Sequence, residues 1–114
     1  MPFIDLKTTA GISAEKESAL RAAYGRAIEC IRGKSEAWLM LNFSDRCCMA
    51  FRGEPTPDLA MIEVQIFGTA SDAEYDDLTA ALTEETARIL SLSPDRIYIR
   101  YAEVEHWGWN GANF

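Results

Sequence analysis

The order of the predicted elements occurs twice along the chain, and this repeat constrains the fold more than any other feature. Each half has the pattern of a strand, a turn, a helix and a second strand. The predicted helix starts, Ser13 and Ser71, lie 58 residues apart in a chain of 114 residues. The predicted strands cover residues 2–7, 38–43, 59–67 and 96–103, and the first helix covers about 14–32.

Two β-α-β halves predict one α+β domain over residues 1–114. We expect one four-stranded sheet with both helices on one of its faces. Hydrophobic residues make up 48% and charged residues 25% of the chain, which excludes a disordered or fibrous protein.

Local signals support these elements. Ser71 and Glu74 form a capping box at the start of the second helix, and Pro94 prevents its continuation. The apolar run at 38–43 predicts a strand covered on both faces. A further short strand is predicted near residues 48–51.

One face of a two-layer domain is left uncovered. It would carry Glu63, Gln65 and Phe67 on one strand and Tyr98 and Arg100 on another. The tail adds exposed aromatic surface, so we expect a closed homo-oligomer. The tail aromatics are Trp107, Trp109 and Phe114.

The formal net charge of −7 argues against nucleic acid and anionic lipid as partners. No apolar stretch is long enough for a membrane span or a signal peptide, so we expect a cytoplasmic protein. The three cysteines, Cys30, Cys47 and Cys48, match no metal-ligand spacing and suit a reducing compartment. His106, the only histidine, has no clustered second ligand, so we expect no metal.

The most informative residue for chemistry is Pro2. A small residue after Met1 favours removal of Met1, which would leave a secondary amine at the N-terminus. Burial among aromatic side chains and a nearby cation such as Lys34 would lower the pKa of that amine from the ordinary value of about 7.7–8.0. Pro2 would then be a general base. Alternatively, Pro2 is only the stiff first residue of an edge strand.

Several blocks of sequence resemble one family along the whole chain. They are PFIDLKTTAG at the start, Gly33-Lys34, Phe51-x-Gly53, Phe67-Gly68, SPDRIYIRY at 93–101 and WGWNGANF at 107–114. Together with the initial Met-Pro, they are similar to macrophage migration inhibitory factor and D-dopachrome tautomerase, of the tautomerase superfamily.

The resemblance implies a homotrimer with active sites between subunits and no cofactor. It implies keto–enol tautomerisation of phenylpyruvate-like 2-keto acids or of dopachrome analogues, with Pro2 as the catalytic base and acid. Lys34 and the backbone N–H of Phe67 would bind the substrate carboxylate. Trp109 and Phe114 would line the mouth of the pocket, and Tyr98 would be contributed by a neighbouring subunit.

Each of these residues also has a purely structural interpretation. Lys34 is a cation after a helix C-terminus, Tyr98 is an ordinary strand aromatic, and Trp109 and Phe114 are interface residues. A second candidate function is that of a cytokine-like interaction protein that binds a host receptor and keeps a vestigial pocket. Family members leave cells without a signal peptide, so leaderless secretion is a second candidate for the location.

The chain departs from the family at two places. Arg100 stands where the name-giving family protein has an asparagine. This predicts either a substrate with a second acidic or strongly accepting group, or a changed pKa of the Pro2 amine. Alternatively, Arg100 pairs with Glu103, Glu105 or Asp5 across the oligomer. Residues 57–62 lack the Cys-x-x-C segment of the mammalian protein, so thiol oxidoreductase activity is not expected.

Overall fold

The computed structural model describes residues 1–114, which form two layers. The strands and helices, in chain order, are β1 (Pro2–Thr8), α1 (Ala14–Ala27), β2 (Met40–Ser44), β3 (Ala50–Phe51), β4 (Glu54–Pro55), β5 (Ala60–Phe67), α2 (Asp72–Leu90), β6 (Ile97–Val104), β7 (Gly108–Trp109) and β8 (Ala112–Asn113). Three 3₁₀ turns cover Ile28–Cys30, Glu36–Trp38 and Pro94–Arg96.

The main sheet has four strands in the order β2-β1-β5-β6. β1 runs parallel to β2, β5 runs parallel to β6, and β1 meets β5 in an antiparallel pair. Each half of the chain therefore supplies one β-α-β unit, and the two units join through their first strands. This confirms the predicted α+β architecture and the internal repeat.

The core lies between the sheet and the helices. Along β1 and β5, alternate side chains point to the helical layer and are buried, as the two-residue period of a strand dictates. Tyr24 of α1 and Thr86 of α2 are fully buried, and their hydroxyl oxygens lie 2.6 Å apart in a hydrogen bond. The core side chains of the sheet include Ile4, Leu6, Ile62, Val64 and Ile66.

Helix α2 begins and ends where the sequence predicts. Both hydrogen bonds of the capping box between Ser71 and Glu74 are present. At the C-terminus, Ser91 takes a left-handed conformation with φ of 57°, and Pro94 opens a 3₁₀ turn instead of a further helical turn. Neither α1 nor α2 is both long and apolar enough to cross a lipid bilayer.

Helix α1 is shorter than predicted. It ends at Ala27, and the chain tightens into the 3₁₀ turn Ile28–Cys30. Ile28 and Ile31 are both buried, although Ile31 is already extended. The helical spacing of apolar residues therefore continues past the end of α1, because the 3₁₀ turn and the extended residue after it still place Ile28 and Ile31 in the core.

The strand predicted at 38–43 begins later and is less buried in the structure than the sequence predicts. Trp38 ends the 3₁₀ turn Glu36–Trp38, and β2 begins at Met40. β2 is an edge strand, and Met40 is 69% exposed, so the prediction of a strand covered on both faces is wrong for the single chain. The short strand predicted near 48–51 exists as β3, but it pairs only with β4, outside the main sheet.

The face of the sheet opposite the helices is uncovered, as predicted. A row of polar side chains crosses all four strands on this face: Asn42, Asp5, Glu63 and Arg100 occupy matching register positions. Asn42 donates to Asp5 at 2.8 Å, and Arg100 donates to Glu63 at 2.8 Å. Lys7 pairs with Asp5 and, at 3.7 Å, with Glu63. The row is therefore paired within one chain.

Candidate active site

The N-terminus of β1 lies beside the end of β5. Pro2 is buried and pairs in register with Ile66. The backbone N–H of Phe67 donates to the carbonyl oxygen of Met1 at 3.0 Å. The candidate base and the candidate carboxylate donor are thus neighbours across the two central strands.

Lys34 reaches the same place from the loop after α1. Gly33, with φ of 80°, turns the chain in a conformation that a side chain would strain. The ammonium group of Lys34 then donates to the carbonyl oxygen of Phe67 at 2.9 Å. The structure therefore brings Pro2, Lys34 and Phe67 together at one end of the central strands.

The terminal amine of the chain is perturbed by this setting. The pKa of the Met1 amine lies below its ordinary value of 8.0, first because burial penalises the ammonium form. The second cause is the positive charge of Lys34, and the third is a hydrogen bond between the two groups. An amine at this end of β1 is therefore held toward its neutral, proton-accepting form.

Aromatic side chains line an open pocket next to Met1. A cavity of about 320 Å³ is lined by Met1, Trp38, Phe67, Trp109 and Phe114. The rings of Trp38 and Trp109 meet edge to face at 5.3 Å, and those of Phe67 and Phe114 lie 5.4 Å apart. A larger groove of about 990 Å³ continues from Met1 and Pro2 along β2. The walls of the smaller cavity are apolar, as is typical of a site for a small aromatic ligand, whereas the larger groove also carries Glu17, Arg21 and Glu36.

Trp38 belongs to this site and was missed in the sequence. The apolar run places it in a strand, whereas the 3₁₀ turn leaves its side chain 52% exposed beside Trp109. The available signal was its position four residues after Lys34, on the loop that carries the lysine.

Tyr98 and Arg100 do not reach the site within one chain. Tyr98 pairs in register with Met61 and Val104 pairs with Phe67, so Tyr98 lies six positions from the Phe67 end of the sheet. Six strand residues span about 20 Å. Tyr98 instead contacts the ring of Phe51 edge to face at 5.7 Å and is 60% exposed.

Arg100 pairs with Glu63 of the same chain, which is not among the three predicted partners. Asp5 is engaged by Lys7 and Asn42. Glu103 instead accepts hydrogen bonds from the Tyr75 hydroxyl at 2.7 Å and from the Ala70 N–H at 3.1 Å. The guanidinium of Arg100 remains largely exposed. No group of three or more His, Cys, Asp or Glu side chains is arranged to hold a metal ion.

The two joined β-α-β units, with Pro2 near Lys34 and Phe67 at one end of the central strands, define a member of the tautomerase superfamily. The family model for macrophage migration inhibitory factor (MIF) matches residues 1–114, and the chain belongs to this family.

Macrophage migration inhibitory factor of Meriones unguiculatus is 27% identical over 118 residues, covering 100% of this chain and 99% of the relative. The crystal structure of Leishmania major MIF2 is 30% identical, with a TM-score of 0.91 over 100% of this chain and 97% of that one. The homologue from Prochlorococcus marinus is 25% identical, with a TM-score of 0.87 over 98% of both chains.

Proposed function

We propose that the chain is a cofactor-independent keto–enol tautomerase that acts on phenylpyruvate-like 2-keto acids or dopachrome analogues. One observation carries the proposal. The Met1 amine, directly before Pro2, lies in a partly desolvated position beside Lys34, and both effects lower its pKa. The Pro2 amine would enter the same setting once Met1 is removed. An amine with this property is a general base near neutral pH.

In the proposed mechanism, Met1 is removed and Pro2 carries the free secondary amine. The neutral amine takes a proton from the carbon next to the keto group, and the electron pair of that C–H bond forms the enolate. The resulting ammonium gives its proton to the enolate oxygen, which yields the enol, and the reverse sequence yields the keto form. The protons therefore balance without a cofactor.

The substrate carboxylate would be held by the Lys34 ammonium and the Phe67 N–H. Both groups lie at the end of β5, beside Pro2. Trp109 and Phe114, together with Trp38, would contact the aromatic ring of the substrate, because their side chains line the cavity at the N-terminus. A carboxylate held at one end and a ring at the other would orient the reacting carbon toward Pro2.

The complete site would need more than one subunit. Tyr98 is exposed and lies far along the sheet from its own Pro2, so it can line a pocket only in another copy. The uncovered sheet face and the free edges of β2 and β6 support a homotrimer in which sheets pack together. Arg100 would accompany Tyr98 and favour a substrate with a second acidic group.

The test compares phenylpyruvate tautomerisation by three forms of the chain: with Met1 removed, with Met1 retained, and with Met1 removed and Pro2→Ala. We expect activity in the first form and its loss in the other two. Equal rates in all three would refute the assignment of Pro2. Intact mass establishes which form is present in each sample.

The exposed aromatic surface around Trp38, Trp109 and Phe114 also favours a second candidate function, that of a receptor-binding protein. Binding of a receptor by the Pro2→Ala form, without tautomerase activity in the unaltered protein, would favour this candidate.

A further inference from the structure

The carboxylate of Glu74 accepts hydrogen bonds from two different parts of the chain. Its Oε1 atom accepts from the Ser71 N–H at 2.9 Å, as the capping box of α2 requires. Its Oε2 atom accepts from the backbone N–H of Arg32 at 2.6 Å. Arg32 lies on the loop after α1, 42 residues away along the chain. The second hydrogen bond is therefore not part of the cap of α2.

This second hydrogen bond ties down the turn that carries Lys34. Ile31 is buried, whereas Arg32 and Gly33 are exposed. The Lys34 N–H donates to the Ile31 carbonyl oxygen at 3.1 Å, which closes the turn on itself without joining it to another element. The Arg32 N–H finds its partner in Glu74, so this bond joins the backbone of the turn to the second half of the chain.

The first turn of α2, which carries Glu74, is itself fixed to the sheet. Glu103 of β6 accepts hydrogen bonds from the Ala70 N–H at 3.1 Å and from the Tyr75 hydroxyl at 2.7 Å. The ring of Tyr75 also packs on that of Tyr101, with centroids 4.5 Å apart. Glu74 is therefore a fixed support for the turn after α1.

The charge of Glu74 strengthens its bond to Arg32. The hydrogen bond from the Arg32 N–H is the first cause that lowers the pKa of Glu74, and the bond from the Ser71 N–H is the second. Glu74 is therefore ionised at neutral pH. A hydrogen bond to an ionised acceptor is stronger than one between neutral groups, so the carboxylate suits this role.

We propose that Glu74 is a positioning residue that holds the Lys34 ammonium at Phe67 through the Arg32 N–H. Lys34 follows Arg32 by two residues, and its ammonium donates to the Phe67 carbonyl oxygen at 2.9 Å. Without the bond to Glu74, the exposed turn would be free to move, and Lys34 would move with it. This role rests on the proposed tautomerase function, in which Lys34 binds the substrate carboxylate.

The kinetics of phenylpyruvate tautomerisation test the proposal, with Met1 removed in every variant and at a pH above the acidic limb. Glu74→Ala should raise KM by about tenfold and change kcat by less than about twofold, because the carboxylate is not the reacting group. Glu74→Gln can still form the capping box, but its amide nitrogen cannot accept from the second donor. It should raise KM by at least about threefold.

Ser71→Ala is the matched control. It removes the hydrogen bond that the Glu74 N–H donates to the Ser71 hydroxyl oxygen at 3.1 Å, but it leaves both oxygens of the Glu74 carboxylate in place. It should therefore lower Tm through the loss of a helix cap and leave KM unchanged. A purely structural role of Glu74 would instead give Glu74→Ala and Ser71→Ala the same KM, which would overturn the proposal.

A second measurement needs no turnover. The carbonyl ¹³C NMR signal of Phe67 senses the hydrogen bond from the Lys34 ammonium, and Lys34→Met, which has no donor, gives its position without that bond. Glu74→Ala should move the signal toward this position, and Ser71→Ala should not. An unmoved signal in Glu74→Ala would overturn the proposal. If no form catalysed tautomerisation, the proposed function would fail, and the Phe67 signal would still decide whether Glu74 holds Lys34.

Discussion

The backbone N–H of Phe67 donates to the carbonyl oxygen of Met1 at 3.0 Å. While Met1 is present, this donor is occupied, and the amine of Pro2 is part of a peptide bond. Removal of one residue would therefore free two groups of the proposed site at once: the base and one of the two donors for the substrate carboxylate.

We predict that retention of Met1 weakens the binding of carboxylate ligands as well as abolishing turnover. The form with Met1 removed and Pro2→Ala has a free Phe67 N–H but lacks the proline. It should bind a non-reacting aromatic carboxylate about tenfold more tightly than the Met1-retained form, since a hydrogen bond to a charged group contributes about 1.5–3 kcal/mol. Isothermal titration calorimetry measures this difference.

The methyl ester of the same ligand is the control, because it places no charge on the Phe67 N–H. Its affinity should differ little between the two forms. Equal affinity of both forms for the carboxylate would show that the Phe67 donor does not contribute.

Lys34→Gln should move the pH dependence of activity. The positive charge of Lys34 lowers the pKa of the Met1 amine. We expect the same effect on the Pro2 amine once Met1 is removed, so loss of this charge should raise the pKa of the base. The amine must be neutral to accept a proton, and activity is lost as the pH falls through its pKa. The acidic limb of the kcat/KM profile should therefore shift to higher pH, and KM for phenylpyruvate should rise.

Lys16→Gln removes the same charge from α1, away from the site, and should leave the profile unchanged. A profile for Lys34→Gln that coincides with that of the unaltered protein would mean that Lys34 does not control the base.

Arg100→Asn should lower the rate on a dicarboxylic 2-keto acid relative to phenylpyruvate. Arg100 uses one of its nitrogens on Glu63, and its side chain remains 57% exposed, so donors are left for a substrate. Glu63→Gln removes the competing carboxylate and should raise the same ratio. Because the ion pair is exposed, both changes should alter the free energy of unfolding by less than about 1 kcal/mol. An unchanged rate ratio in Arg100→Asn would exclude this role.

The buried hydroxyl groups of Tyr24 and Thr86 should contribute to the free energy of unfolding as a coupled pair. Burial raises the pKa of Tyr24, so its hydroxyl stays protonated and available to Thr86. Tyr24→Phe and Thr86→Val each leave one buried hydroxyl without a partner and should cost about 1–3 kcal/mol. The double variant should cost less than the sum of the two, as urea unfolding would show.

The pair Thr79 and Tyr101 allows the same measurement at a less buried place, where the hydroxyls lie 2.7 Å apart. Its coupling should be smaller because water can replace the missing partner. Additive costs at Tyr24 and Thr86 would contradict the assignment.

The sequence predicts those elements that depend on local signals. The capping box at Ser71 and the alternation along β5 need only neighbouring residues, and both are present. The apolar content of β2, in contrast, predicts full burial, but burial of an edge strand depends on what packs beside it. The sequence therefore could not distinguish a central strand that is buried within one chain from an edge strand whose apolar side chains are exposed in one chain.

The candidate site was also predictable only where it depends on local sequence motifs. The residues near Pro2 follow from matching motifs, whereas Glu63 as the partner of Arg100 follows only from the register of β5 and β6. The sequence does not identify Trp38 as a site residue, because an aromatic residue in an apolar run is typical of a strand. Only the 3₁₀ turn Glu36–Trp38 shows its position.

The row of polar side chains across the open sheet face has a consequence for assembly. Each copy carries a net charge of −7, which makes copies repel at a distance. On the open face, however, Lys7 and Arg100 balance Asp5 and Glu63 within every subunit. A neighbour can therefore cover this face without supplying a complementary charge. The net negative charge lies outside this row, with six acidic residues and one arginine on α2. Added salt screens this charge, so it should speed the encounter of subunits in the proposed homo-oligomer rather than weaken it.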